Sequence, residues 1–94
     1  MLDRAAGDDL DDRVEATTLA LRAAAIEAGM AISGDGRISE AAAAQLMQIE
    51  CEILAKKRSE GKGPSSYGVA IGGAKVSYRL VDLARWIEWQ REDF

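Results

Sequence analysis

Histidine is absent from this chain, cysteine and proline occur once each, and only five residues are aromatic. Without histidine, the commonest general base and the commonest neutral metal ligand are missing. The single cysteine, Cys51, excludes an intramolecular disulfide and gives no sign of an oxidising compartment. It stands at the start of an expected helix but has no histidine to activate it, so it reads as inert. No apolar run approaches the ~18 residues of a membrane span, and no charged segment leads into an apolar one at the N-terminus. A cytoplasmic protein with no membrane partner is expected. No metal-ligand cluster and no phosphate-cradling loop is present, and the pair Gly72-Gly73 lacks the strand–loop–helix setting of a nucleotide site. Neither an enzyme nor a cofactor or metal is expected.

What is present fills one domain. In 94 residues, 48% apolar, much of the apolar share is alanine, which buries little area. The large core candidates are Leu10, Val14, Leu21, Ile26, Ile38, Leu46, Ile49, Leu54, Val69, Ile71, Val76, Tyr78, Leu80, Leu83, Trp86 and Ile87. A core this thin leaves room for oligomerisation to add stability.

The net charge is −4, but it is unevenly spread. Residues 1–50 hold four basic residues against ten acidic ones. Residues 54–79 reverse this, with Lys56, Lys57, Arg58, Lys62, Lys75 and Arg79 opposed only by Glu60. An acidic front and a basic middle are compatible with a polyanionic partner if they occupy different faces.

Residues 1–8 read as frayed. Leu10, Val14, Thr17, Leu21 and Ala24 then follow helical spacing, which predicts a helix over 9–28 capped by Gly29. Ser33-Gly34-Asp35-Gly36 predicts a turn. Aligned with a calcium-binding loop, it would put Ala31 and Ala42 where carboxylates are required, so no cation cage is expected. Ser39 is a fitting N-cap for a helix over 40–47. A tight turn at 48–50 leads to a second helix over 51–60, stopped by Gly61. Segments 67–71 and 74–78 flank Gly72-Gly73 as a two-residue hairpin, and a last helix over 80–91 aligns Leu83, Trp86 and Ile87. At that spacing Trp86 reads as core, with Trp89 at the edge of the same cluster, and Tyr78 as a packed residue with its hydroxyl bonded to a neighbour.

Together, Ser39-Glu40-Ala41-Ala42-Ala43-Ala44, Leu46, Ile49, Leu54, Arg58, Glu60-Gly61-Lys62-Gly63-Pro64, Gly72-Gly73, Lys75-Val76, Tyr78-Arg79, Asp82-Leu83 and Trp86-Ile87 form a pattern. It resembles the small winged-helix DNA-binding proteins of phages and prophages, the excisionase-like and AlpA-like members of the MerR-type group. The small terminase subunits are similar in style. The resemblance covers about residues 37–89 and leaves the N-terminal helix unmatched. The chain carries Gln48 where the family commonly has glycine between the two helices. Glu50 stands where Ser or Thr usually opens the second.

The resemblance implies an α+β fold: a winged helix-turn-helix over 37–94, made of short helices plus a two-stranded wing. An extra N-terminal acidic helix and turn over 1–36 would then be a candidate oligomerisation element. It implies site-directed binding of double-stranded DNA, as an excisionase-like factor or transcriptional regulator. Such a protein would act as a homodimer or cooperative oligomer, with a recombinase, polymerase or packaging partner. In such proteins the second helix enters the major groove and the wing meets the backbone. Carried onto this chain, the groove-facing residues are Glu52, Lys56 and Lys57, with Arg58 and Lys62 towards the helix end. Lys75 on the wing, with Ser77 and Arg79 on the following strand, would meet phosphates. The alternatives are a protein-binding adaptor on the same scaffold, favoured by Glu50 and Glu52, and a small terminase subunit.

Overall fold

A computed structural model of the protein describes residues 9–92, so the expected fraying at 1–8 lies outside the described residues. Helix α1 spans Leu10–Glu27, β1 Arg37–Ser39, α2 Glu40–Met47, α3 Cys51–Ser59, β2 Ser77–Arg79 and α4 Leu80–Trp89. The result is a small α+β domain of four helices and a two-stranded antiparallel sheet among the described residues. No helix among them is long and apolar enough to cross a membrane.

The helix ends follow from local chemistry. Asp9 caps α1, its side chain accepting the Asp11 N–H at 3.1 Å. Ser39 caps α2 by accepting the Ala42 N–H at 3.1 Å. Three helices stop in the same way. After α1 the Met30 N–H bonds the Ala25 carbonyl, after α2 Ile49 bonds Ala44, and after α3 Lys62 bonds Lys57, at 2.8–3.1 Å. Each closure needs one residue in the left-handed region. Gly29 and Gly61 supply it at φ 72° and 71°, and Gln48 supplies it at φ 61°. The turn at 48–50 therefore keeps its geometry without glycine.

Strands β1 and β2 pair in the register Arg37↔Arg79, Ile38↔Tyr78, Ser39↔Ser77. Period-two alternation puts Ile38 and Tyr78 on the inner face, where both are fully buried. Each strand runs directly into a helix, β1 into α2 and β2 into α4. Because the strands are antiparallel, those helices leave from opposite ends and close over Ile38 and Tyr78. Ala43, Ala44, Leu54, Leu80 and Leu83 complete the core cluster. The two alanines let α2 approach the sheet closely, and each fully buried large side chain contributes on the order of 1.5–3 kcal/mol.

Helix α1 lies antiparallel along α4. Arg13 meets Glu88 at 3.0 Å and Thr17 donates to the same carboxylate at 2.7 Å, while Thr18 and Arg22 adjoin Leu80 and Val81. Only one face of α1 is used. Val14 and Ala25 are buried, whereas Ile26, one residue on and about 100° around the helix, is exposed. Val69 and Trp89, both expected to pack, are also exposed. Val69 lies on an irregular arm with no facing layer, and Trp89 closes the last turn of α4, which ends two residues before the expected Arg91.

The expected regular hairpin over 67–78 is corrected. Its tip is as anticipated: Ile71 and Ala74 exchange both backbone hydrogen bonds across Gly72-Gly73, with Gly72 at φ 57°. Tyr67 and Ser77 also exchange both bonds, at 2.8 and 2.9 Å. Three residues lie between those bridges on the first arm but two on the second, so the first arm bulges by one residue. Continuous pairing moves to β1, whose three residues hold one apolar position and offer no alternation for a sequence pattern to register.

Candidate nucleic-acid interface

Helices α2 and α3 are joined through the stop at Gln48. Glu50 is the N-cap of α3, but its side chain makes no capping bond. Glu52 in the first turn and Lys56 in the last are exposed, and Ile53 between them is 48% exposed. Lys57 is half-buried, with its Cβ packed against Gly63, where a side chain would come within 3.3 Å. Lys62 is exposed directly after the helix stop. Its carbonyl accepts the Trp86 indole N–H at 3.1 Å, fixing the segment after α3 to α4. Trp86 is thus half-buried and has a structural task.

Arg58 sits in a different environment from the lysines beside it. Its guanidinium grips Glu40 at two points, 2.7 and 3.1 Å, joining the end of α3 to the start of α2. The buried Tyr78 hydroxyl donates to the same Glu40 carboxylate at 2.6 Å. Hydrogen bonding by Arg58, and secondarily by Tyr78, holds the Glu40 carboxyl below its usual range despite partial burial. Burial, reinforced by Glu40, pushes the Tyr78 phenol well above its usual value.

The hairpin side is also partly internal. Lys75 is exposed beside the tip. Ser77, expected at a phosphate, is fully buried instead; its hydroxyl donates to the Val69 carbonyl at 2.8 Å and accepts from Arg37 at 2.8 Å. Antiparallel pairing with β1 on one side and bridging to Tyr67 on the other leave it no exposed edge. Arg79 is half-buried, 5.1 Å from the centre of the Tyr67 ring and 3.4 Å from Asp35.

Arg37 was not among the residues singled out by sequence, yet it organises this side. It grips both Asp35 oxygens at 2.9 Å and reaches the Val69 carbonyl at 3.2 Å, so it supports the bulged arm. Hydrogen bonds from Ser33 and Arg37 hold the Asp35 carboxyl far below its usual range. A single arginine beside one isoleucine carries no distinguishing pattern, and only the sheet register reveals it.

Among the described residues the cations divide by type, with Arg22 the exception among the arginines. Arg13, Arg37, Arg58, Arg79 and Arg85 each hold a carboxylate at 2.7–3.4 Å. Lys56, Lys57, Lys62 and Lys75 are all the lysines of the chain, and none has a side-chain partner among the described residues. Lys56, Lys57 and Lys62 stand at or just after the end of α3, and Lys75 stands beside the hairpin tip. Among the described residues no group of three or more His, Cys, Asp or Glu is arranged to hold a metal ion.

No protein-family model matches the chain, and neither a curated protein nor a solved structure matches it.

Proposed function

We propose that the protein binds double-stranded DNA through α3 and the wing, in the manner of an excisionase-like factor or transcriptional regulator. The observation that carries this reading is the division of cations. In a protein of net charge −4, every lysine lies between residues 56 and 75 and none is neutralised by a described carboxylate. Unpaired ammonium groups are free to neutralise phosphates and release the counterions condensed on the duplex, the source of sequence-independent DNA affinity. Arg58, Arg37 and Arg79 support that surface from within, while Lys56, Lys57, Lys62 and Lys75 face the phosphates and Glu52 adjoins the base edges. The test is a mobility shift on random duplex at low salt. A shift that fades steeply with added salt supports the reading, and no shift at low salt overturns it.

A second reading has its own observation. Ala41, Ala44, Ile49, Cys51 and Ile53 line an open cleft of about 560 Å³ between α2 and α3, rimmed by Glu50. A cleft of small apolar side chains and the Gln45 and Gln48 amides, with an acidic rim, fits an adaptor that docks a protein segment. Absence of duplex binding, with retention of the fold, would favour it.

A further inference from the structure

A second basic site lies where α1 meets the start of α4. Arg37 and Arg79 are directly opposed across β1 and β2. Like charges in that position repel, and both are referred to one carboxylate, Asp35. The sharing is unequal: Arg37 takes both oxygens at 2.9 Å, whereas Arg79 makes one contact at 3.4 Å. The Nε of Arg79 is buried with no hydrogen-bond partner. Such a group is left under-satisfied, a condition native proteins rarely tolerate without a purpose.

The third guanidinium comes from α1. Arg22 brings an Nη to within 3.8 Å of the position a Cβ would take on Gly36. It is exposed and makes no hydrogen bond or ion pair among the described residues. Arg22, Asp35, Gly36, Arg79 and Val81 line a cleft of about 150 Å³. That floor includes the first turn of α4, whose N-cap, Arg79, provides no side-chain capping bond. Arg22, without a described partner, and Arg79, loosely held by Asp35, thus line one cleft at the N-terminal end of α4.

We propose that this cleft binds a phosphate group, with Arg22 and Arg79 as its ligands and Asp35 fixing Arg37 behind them. A tetrahedral dianion fits because planar guanidinium forks bond paired oxygens, and the N-terminal end of α4 carries positive partial charge. The phosphate has two sources, a free phosphate or phosphomonoester and the backbone of a nucleic acid. None of the lysines lines this cleft.

The experiment is an amide-resolved NMR titration of the full chain with inorganic phosphate and with pyrophosphate, against chloride at matched ionic strength. Saturable shifts at Gly36, Arg79 and Val81, without shifts at Lys56 or Lys75, are expected. Arg22→Gln should weaken the response about tenfold, and Arg22→Lys should retain part of it. Arg22 has no described partner, so a thermal melt should show both variants folded. A parallel titration with duplex DNA uses a Lys56→Gln, Lys57→Gln variant. Shifts at the same three amides would identify a nucleic-acid backbone as a source; shifts with phosphate alone would identify the free anion. No saturable response to phosphate, pyrophosphate or duplex would overturn the proposal, as would an equal response to chloride. A failure of DNA binding alone leaves the inorganic phosphate titration to decide it.

Discussion

Arg58 and Glu40 meet through a two-point contact at 2.7 and 3.1 Å that fixes the end of α3 against the start of α2. Tyr78, at the centre of the core, completes the arrangement from β2 at 2.6 Å. The angle between the two helices of the helix–turn–helix is thus held by a charged network as well as by Leu54 and the paired alanines.

Removing the phenol hydroxyl tests that network most cleanly. Tyr78→Phe keeps the ring volume and deletes a hydrogen bond to a charged acceptor, a change that costs about 1–3 kcal/mol. Arg58→Lys keeps the charge but loses the fork, and should cost about 1 kcal/mol. Chemical denaturation of both single variants and the double gives the coupling, and a coupling indistinguishable from zero would show that the three groups do not act together.

The same carboxylate sets an acid limb. Glu40 has a folded pKa below its ordinary 4.5, because Arg58 and Tyr78 bond the ionised form. A depressed folded pKa contributes stability that is fully present above the unfolded value and is lost as pH falls through the folded one. Stability should therefore decline as pH drops below about 4.5, and Glu40→Gln should flatten that limb while lowering stability at neutral pH. Tyr78 acts at the other extreme. Its folded pKa lies above its ordinary 10.0, so its contribution is present below pH 10.0 and is lost as pH rises towards the folded value. An ultraviolet tyrosinate titration should show one phenol that ionises only on alkaline unfolding, and Tyr78→Phe should remove it.

Gln48 offers a prediction of opposite sign. It holds φ 61°, ψ 40° at a helix stop where α1 and α3 each use glycine. A left-handed conformation costs a side-chain-bearing residue about 1–2 kcal/mol, and the greater freedom of glycine in the unfolded chain returns about half of that. Gln48→Gly should therefore stabilise the protein by about 0.5–1 kcal/mol, read as a higher Tm. A lower Tm would show that the Gln48 side chain contributes more than its backbone strain removes.

These cases show what the sequence carried. Helix ends were legible because caps are local: Ser39, Gly29 and Gly61 act within a few residues of where they stand. The hairpin tip was legible for the same reason. Strand β1 was not, because its partner is forty residues away and its three residues hold one apolar side chain. The candidate surface divides along the same line. Exposed lysines after α3 could be read from charge spacing, whereas the burial of Ser77 and the engagement of Arg58 and Arg79 depend on partners brought in by the sheet.

The start of α3 is where stability and DNA binding should respond together. Glu50 occupies the N-cap without bonding a helix N–H, and Glu52 follows in the first turn. Glu50→Ser supplies a capping oxygen, worth about 1 kcal/mol, and gives up part of a favourable charge–dipole interaction worth about 0.3–1 kcal/mol. Net stability should change little. In the proposed DNA-binding mode both carboxylates lie at the end of the helix that would approach phosphates, so Glu50→Ser with Glu52→Gln should tighten binding to random duplex at low salt. Lys56→Gln or Lys75→Gln should weaken it and reduce the slope of log affinity against log salt by about 0.9 each. Fluorescence anisotropy across a salt series measures both effects. If the acidic variant tightens binding while the lysine variants leave the slope unchanged, the contact surface lies at the start of α3 and excludes its basic end.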